Sequence, residues 1–190
     1  KGDRLTSVIF YWPPGTGKTT VDRIISKQSQ YTFKQLNAVT AGVKEIRDTA
    51  AEASNYLLNP KGKIILFFDE IHRLNKGQQD VLLPYVESGS IILIGATIEN
   101  PYFEVNKALL SRSTLFRFEP LSQEDIKDLI RRTLSDKERG LGAYPTLIEE
   151  EALDHIAILS DGDARVALNA IELAVLTTEK NSQGLIHIDL

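Results

Sequence analysis

The sequence predicts an α/β fold, a parallel sheet flanked by helices and followed by a small all-helical lid. Three observations predict it. The apolar run Val8-Ile9-Phe10 passes directly into the glycine-rich stretch Tyr11-Trp-Pro-Pro-Gly-Thr-Gly-Lys-Thr-Thr20. A second run, Lys63-Ile-Ile-Leu-Phe-Phe-Asp-Glu70, is apolar without alternation and ends in two acids, as suits a strand covered on both faces of a parallel sheet. Around these two runs, strand-like and helix-like segments alternate up to Glu119, the order of a sheet with helices on both faces.

Each element follows in turn. Ser7–Tyr11 is the first strand, and residues 18–27 form the helix behind the glycine-rich loop. Residues 31–36 are the second strand. Residues 43–57 form a helix, because Val43, Ile46, Ala50 and Ala53 fall on one stripe. Asn59-Pro-Lys-Gly62 is a turn before the acidic strand. A short helix over 78–86 precedes the strands Ile91–Thr97 and 114–118. After Pro120 the character changes: Ser122-Gln-Glu-Asp125 is a helix cap, and only helices follow, broken at Gly140-Leu-Gly142 and Asp161-Gly-Asp163. The predicted division is a nucleotide-binding domain over 1–119 and a helical lid over 120–190. The lid stripe Val166, Ala170, Leu173 and Thr177 is expected to be its core. The chain contains no methionine, not even at its start, and reads as a fragment truncated at both ends.

Composition narrows the function classes. A chain of 190 residues accommodates one α/β domain and a small appendage. No apolar stretch is long enough to span a membrane and no signal-peptide pattern opens the chain, so no membrane partner is expected. The absence of cysteine excludes disulfides and thiolate metal sites, and fits a reducing compartment. His72, His155 and His187 are too scattered in sequence to suggest a metal site. With a net charge of −4 no basic field covers the surface. Any contact with nucleic acid must come from a local patch, or from a ring that gathers a few Lys and Arg.

The glycine-rich loop carries the first chemistry. A turn between a strand and a helix aims consecutive backbone N–H groups at one point, where the helix N-terminus adds partial positive charge. Pro14, Gly15, Thr16, Gly17, Lys18, Thr19 and Thr20 would cradle the phosphates of ATP, with Lys18 on the outer phosphates and the Thr19 hydroxyl on Mg²⁺. One position departs from the Gly-x-x-x-x-Gly-Lys-[Ser/Thr] signature, which wants glycine where this chain has Trp12. Two outcomes stay open: the indole points outward and leaves the cradle intact, or it distorts the loop and weakens ATP binding. The second chemistry sits at the end of the acidic strand, where open α/β sheets bind ligands. Asp69 would hold Mg²⁺ through its water shell, and Glu70 would orient and deprotonate the attacking water.

Together with Gly95-Ala-Thr97, Ser111-Arg112 and Gly162-Asp-Ala-Arg165, these motifs resemble those of the AAA+ ATPases. Within that group, Leu36-Asn-Ala-Val39, Asp69-Glu-Ile-His-Arg73, Gln78-Gln-Asp80 and Ile94-Gly-Ala-Thr-Ile-Glu-Asn-Pro101 resemble the RarA (MgsA) family. Its eukaryotic relative is the Werner-helicase-interacting protein, and clamp loaders and the RuvB branch-migration motor are related to it. The resemblance covers essentially the whole chain. It implies DNA-dependent ATP hydrolysis at replication forks, in replication, recombination and repair, in the bacterial cytoplasm at the nucleoid. The partners it implies are single-stranded or forked DNA, further copies of the full-length chain, and replication proteins such as single-strand binding protein.

The same resemblance implies individual roles. Thr97 is the first sensor of the γ-phosphate, although the family usually carries a second threonine where this chain has Ile98. Arg112 is the finger donated to a neighbouring subunit's nucleotide, and Arg165 is the second sensor. Positioned arginines suit the task because charge develops on the γ-phosphoryl oxygens. Asn37, at the end of the second strand, would hold Glu70 away from the water until a partner binds. His72 and Arg73 either face a DNA channel or belong to a solvated turn.

Two other readings accompany the DNA-dependent ATPase. One is a nucleotide-gated, hydrolysis-poor scaffold like an inactive clamp-loader subunit, which Trp12 favours and the set Lys18, Asp69, Glu70 and Arg112 opposes. The other is a protein unfoldase. Such enzymes thread substrate past an aromatic-Gly loop, and Ala38-Val-Thr-Ala-Gly-Val-Lys44 contains no aromatic.

Overall fold

The computed structural model describes residues 6–11, 24–25, 30–53, 55, 59 and 62–190. Contacts divide the described chain into two compact units, one ending at Phe118 and the other running from Glu119 to Leu190.

The first unit is built on five parallel strands: β1 Ser7–Tyr11, β2 Thr32–Asn37, β3 Ile64–Asp69, β4 Ile91–Thr97 and β5 Ser113–Arg117. Their spatial order is β2-β3-β4-β1-β5. β3 is apolar from Ile64 to Phe68 because neither of its faces meets water there. Leu66 and Phe68 join Ile46 and Ala50 of α1 (Val43–Ala53) and Leu82 of α2 (Lys76–Ser88) in one cluster. Ile65 and Phe67 pack on the opposite face with Ile92, Ile94, Phe10 and Phe33. Ile64 to Phe68 are at most 2% exposed. The aromatic rings of Phe33 and Phe67 lie 6.2 Å apart, and those of Phe10 and Phe118 5.5 Å apart. Burying five large side chains from one strand contributes roughly 1.5–3 kcal/mol each before chain entropy is counted.

The helix α1 buries Ile46, Ala50 and Ala53, on the stripe its sequence spacing predicts, with Thr49 added. The second helix is longer than expected. Asn75 caps α2 through the backbone N–H of Gln78, while the Gln78 side chain accepts from the backbone N–H of Asn75. This reciprocal box extends the helix to Lys76. Of the helix expected over 18–27, only Ile24 and Ile25 are described, and both are helical. Two short helices, α3 Pro101–Glu104 and α4 Lys107–Leu110, connect β4 to β5.

The second unit contains α5 Gln123–Ser135, α6 Glu150–Leu159 and α7 Ala164–Thr177. Ser122 and Asp125 form the expected cap of α5, again as a reciprocal box. Asp163 caps α7, its carboxylate accepting from the backbone N–H groups of Arg165 and Val166. The break before it is left-handed at both Asp161 (φ 47°) and Gly162 (φ 77°). Gly162 cannot be replaced cheaply, because a Cβ there would lie 2.7 Å from Pro120 Cβ and 2.8 Å from the Leu121 carbonyl oxygen.

Two expectations for this unit are corrected. It is not all helical: β6 Thr146–Ile148 and β7 Ile186–Ile188 form a two-stranded parallel sheet. The core face of α7 is also different. Ala167, Ile171 and Val175 are buried against Ile126, Ile130 and Leu153, whereas Val166 is 48% exposed and Leu173 64%. The helix is apolar on most sides, so spacing alone does not set its rotation.

Candidate nucleotide site at the carboxyl edge of the sheet

The parallel register assembles the candidate residues. Asn37 of β2 lies opposite Asp69 of β3, Phe68 opposite Gly95 of β4, and Thr97 opposite Tyr11 of β1. Asn37, Asp69 and Thr97 each end their strand. Tyr11 ends β1 and is followed in sequence by the glycine-rich loop. Four strand ends therefore converge on one edge of the sheet, the edge at which open parallel sheets bind ligands. Trp12 and the loop residues Pro14, Gly15, Thr16, Gly17, Lys18, Thr19 and Thr20 lie outside the described residues.

A cavity of about 350 Å³ opens at this edge, lined by Gln35, Leu36, Asn37, Val39, Asp69 and Glu70. Asn37 is held by its own turn. Its Oδ1 accepts from the Val39 N–H at 2.8 Å, and its carbonyl accepts from the N–H groups of Thr40 and Ala41. This is an Asx turn, in which the side chain imitates a backbone acceptor. The amide nitrogen of Asn37 makes no hydrogen bond among the described residues.

Glu70 leaves β3 in the left-handed conformation (φ 56°, ψ 51°) and starts a 3₁₀ turn over Ile71–Arg73. The turn is closed by the Arg73 N–H donating to the Glu70 carbonyl at 2.8 Å. A non-glycine residue held in this region costs on the order of 1 kcal/mol and tends to cluster at functional sites. No spacing in the sequence signals it. Arg73 stands 3.9 Å from the Glu70 carboxylate, with 60% of its own side chain exposed.

Thr97 is fully buried. Its Oγ1 accepts from the Glu99 N–H at 3.0 Å and lies 2.9 Å from His72 Nδ1. His72, which the sequence left between a channel residue and a solvated turn, is thus directed at Thr97.

Gln78-Gln-Asp80 proves architectural. Gln78 donates to the Ala41 carbonyl. Gln79, 1% exposed, donates to the carbonyls of Leu74 and Glu104 and accepts from the Asn106 N–H. Asp80 accepts from the Asn106 amide at 2.6 Å. These bonds fix the segment that leads to Arg112. Arg112 is exposed, pairs with Glu87 of α2 at 2.7 Å and donates to Ser111 Oγ at 2.9 Å. Arg165 is an exposed residue in the first turn of α7.

Asp69 and the donor chemistry around it fit Mg²⁺. That ion takes one or two carboxylates and fills its remaining positions with water and phosphate oxygens, so a single acid at the strand end suffices. Among the described residues no cluster of three or more His, Cys, Asp or Glu side chains could hold a metal by itself. No described helix is long and apolar enough to cross a membrane.

Comparison with known proteins shows the family and the fold. Residues 8–121 match the model of the ATPase family associated with various cellular activities (AAA), and residues 142–190 match an AAA C-terminal domain. The chain is 48% identical over 186 residues to replication-associated recombination protein A of Bacillus subtilis, covering 98% of this chain and 43% of that protein. It is 50% identical over 171 residues to ATPase WRNIP1 of Dictyostelium discoideum, covering 90% and 19%. The Escherichia coli replication-associated recombination protein A is 44% identical, covering 95% and 40%. The chain thus spans less than half the length of these curated relatives. Among solved structures, one variant of Thermotoga maritima RuvB superposes with a TM-score of 0.69 at 27% identity, covering 88% of this chain and 53% of that one. A second RuvB variant reaches 0.73 at 24% identity and shares the fold.

Proposed function

We propose, from the premise that this chain belongs to the AAA family of ATPases, that it is the core of a DNA-dependent ATPase acting at replication forks in recombination and repair. The observation that carries the reading is the convergence of Asn37, Asp69 and Thr97 on the sheet edge where β1 leads into the glycine-rich loop. The substrate class comes from the relatives named for replication-associated recombination.

In this reading the backbone of residues 14–20 holds the phosphates of ATP, and Lys18 and Thr19 reach the outer phosphates and the metal. Mg²⁺, when bound, neutralises charge that develops on the β- and γ-phosphoryl oxygens. Asp69 holds it through water. Glu70 orients the attacking water and accepts its proton, the Thr97 hydroxyl contacts the γ-phosphate, and Arg165 serves as the second sensor. Arg112 serves the nucleotide of a neighbouring copy, so full turnover requires an oligomer. Asn37 restrains Glu70 until DNA, single-stranded or forked, is engaged. Replication proteins such as single-strand binding protein complete the set of partners, in the bacterial cytoplasm at the nucleoid.

A second reading, a nucleotide-gated scaffold with little hydrolysis, is favoured by Trp12 in place of the first glycine of the loop signature. Steady-state ATPase measurements on the full-length protein decide between them. Turnover that rises with single-stranded or forked DNA and vanishes in Glu70→Gln supports the DNA-dependent ATPase. Turnover that is absent in the parent and recovered in Trp12→Gly supports the scaffold.

A further inference from the structure

The Thr97 hydroxyl has one proton to donate and two lone pairs with which to accept. One lone pair is filled by the Glu99 N–H at 3.0 Å. His72 Nδ1, 2.9 Å away, decides what happens to the rest. If Nδ1 carries a hydrogen, it fills the second lone pair, and the Thr97 proton can only be given to a third group. If Nδ1 is bare, it takes that proton itself, and the hydroxyl is spent inside the protein.

The placement gives this choice a consequence. Thr97 is fully buried at the strand end, opposite Tyr11 and hence beside the start of the glycine-rich loop. His72 belongs to the 3₁₀ turn that begins at Glu70. Ile71, in the same turn, is fully buried against Gly95, two residues before Thr97. The turn is therefore fixed against β4 by packing at Ile71 and by the polar contact at His72. A shift of the turn that moves Glu70 must also move the imidazole on Thr97.

We infer that His72 is a positioning residue which, by donating from Nδ1 to Thr97 Oγ1, commits the Thr97 hydroxyl to donate outward to a γ-phosphate oxygen, and so ties that contact to the turn carrying Glu70. The inference rests on the ATPase reading of the site. His72 acts through Thr97.

The test compares full-length wild type with His72→Ala, His72→Asn and His72→Gln. The amide nitrogen of Asn can occupy the position of Nδ1, whereas that of Gln matches Nε2. In Mg-ATP turnover, His72→Ala and His72→Gln are expected to lose about tenfold to a hundredfold in kcat, with KM within about twofold. His72→Asn is expected to recover most of the loss. Equal kcat in His72→Ala and wild type, or an Asn variant as impaired as Ala, overturns the inference. Imidazole ¹⁵N shifts of His72 supply a readout independent of turnover. A protonated Nδ1 in the ATP-bound Glu70→Gln protein is expected, and a bare one overturns the inference. A wild type that binds but does not hydrolyse ATP would instead count against the ATPase reading, and the nitrogen shifts would still judge the hydrogen bond.

Discussion

Ile71 packs directly onto the backbone of Gly95: a Cβ built at Gly95 would lie 2.7 Å from Ile71 Cδ1, 3.2 Å from its Cγ2 and 3.3 Å from its Cβ. Three contacts at this range cannot be relieved by turning one terminal methyl, and Ile71 is fully buried. Gly95→Ala must therefore displace the turn. Overpacking of this kind costs about 1–3 kcal/mol, so chemical denaturation of the variant should show a loss in that range. Turnover should fall as well, because Glu70 precedes Ile71. A variant as stable and as active as the parent would show that the turn is free to move.

The backbone of Glu70 allows a separate prediction. Its φ of 56° is strained for a residue with a Cβ and relaxed for glycine. Glu70→Gly should leave the melting temperature level with the parent or higher, while abolishing ATP hydrolysis with the carboxylate. Thermal unfolding and steady-state turnover check the two halves independently. A large fall in melting temperature would mean that the Glu70 side chain stabilises the fold by more than its backbone strain costs.

What the sequence made legible follows from periodicity and punctuation. The unbroken run Ile64–Asp69 reads as a strand because both its faces are covered, and Ser122 with Asp125 reads as a cap because the box is local in sequence. The convergence of Asn37, Asp69 and Thr97 was also accessible, since each residue ends a strand. Three features were not. The left-handed Glu70 has no glycine to announce it. The approach of His72 to Thr97 joins residues 25 apart, through a register that only the folded sheet sets. The rotation of α7 is ambiguous because Val166 and Leu173 are as apolar as the buried Ile171 and Val175; neighbouring helices choose the face.

In the second unit, Lys127 of α5 is 11% exposed and lies 2.8 Å from Asp154, 2.8 Å from Glu124 and 3.5 Å from Glu150. Its hydrogen bonds to Asp154 first, and then to Glu124, hold the ammonium well above the usual lysine range. For a group whose folded value is raised, the stabilisation is fully present below its unfolded value of about 10.4 and is lost as pH climbs through the folded value. Lys127 is therefore fully charged throughout the neutral range. Lys127→Met leaves Asp154 and Glu124 without their shared ammonium, and salt screens the repulsion between them. The drop in unfolding midpoint should be larger at low ionic strength than at high ionic strength. An equal drop at both would assign the role of Lys127 to its aliphatic stem instead.

Arg112 and Glu87 form an ion pair of 2.7 Å with both side chains more than two-fifths exposed. Exposed pairs of this kind contribute about 0.2–1 kcal/mol, too little to hold an arginine against a nucleotide's γ-phosphate in a neighbouring copy. Glu87 should therefore act as a resting partner that is readily exchanged. Glu87→Gln is expected to lower stability by less than about 1 kcal/mol and to leave oligomer turnover unchanged or modestly raised. Arg112→Ala is expected to lower turnover by about a thousandfold or more, the scale on which arginine fingers act, with ATP binding preserved. Adding Arg112→Ala protein to Glu70→Gln protein discriminates further. In a mixed assembly an intact Glu70 site can receive Arg112 from a Glu70→Gln neighbour, and partial activity returns. If the mixture stays silent at every ratio, Arg112 does not act across a subunit boundary, and its pair with Glu87 is the whole of its role.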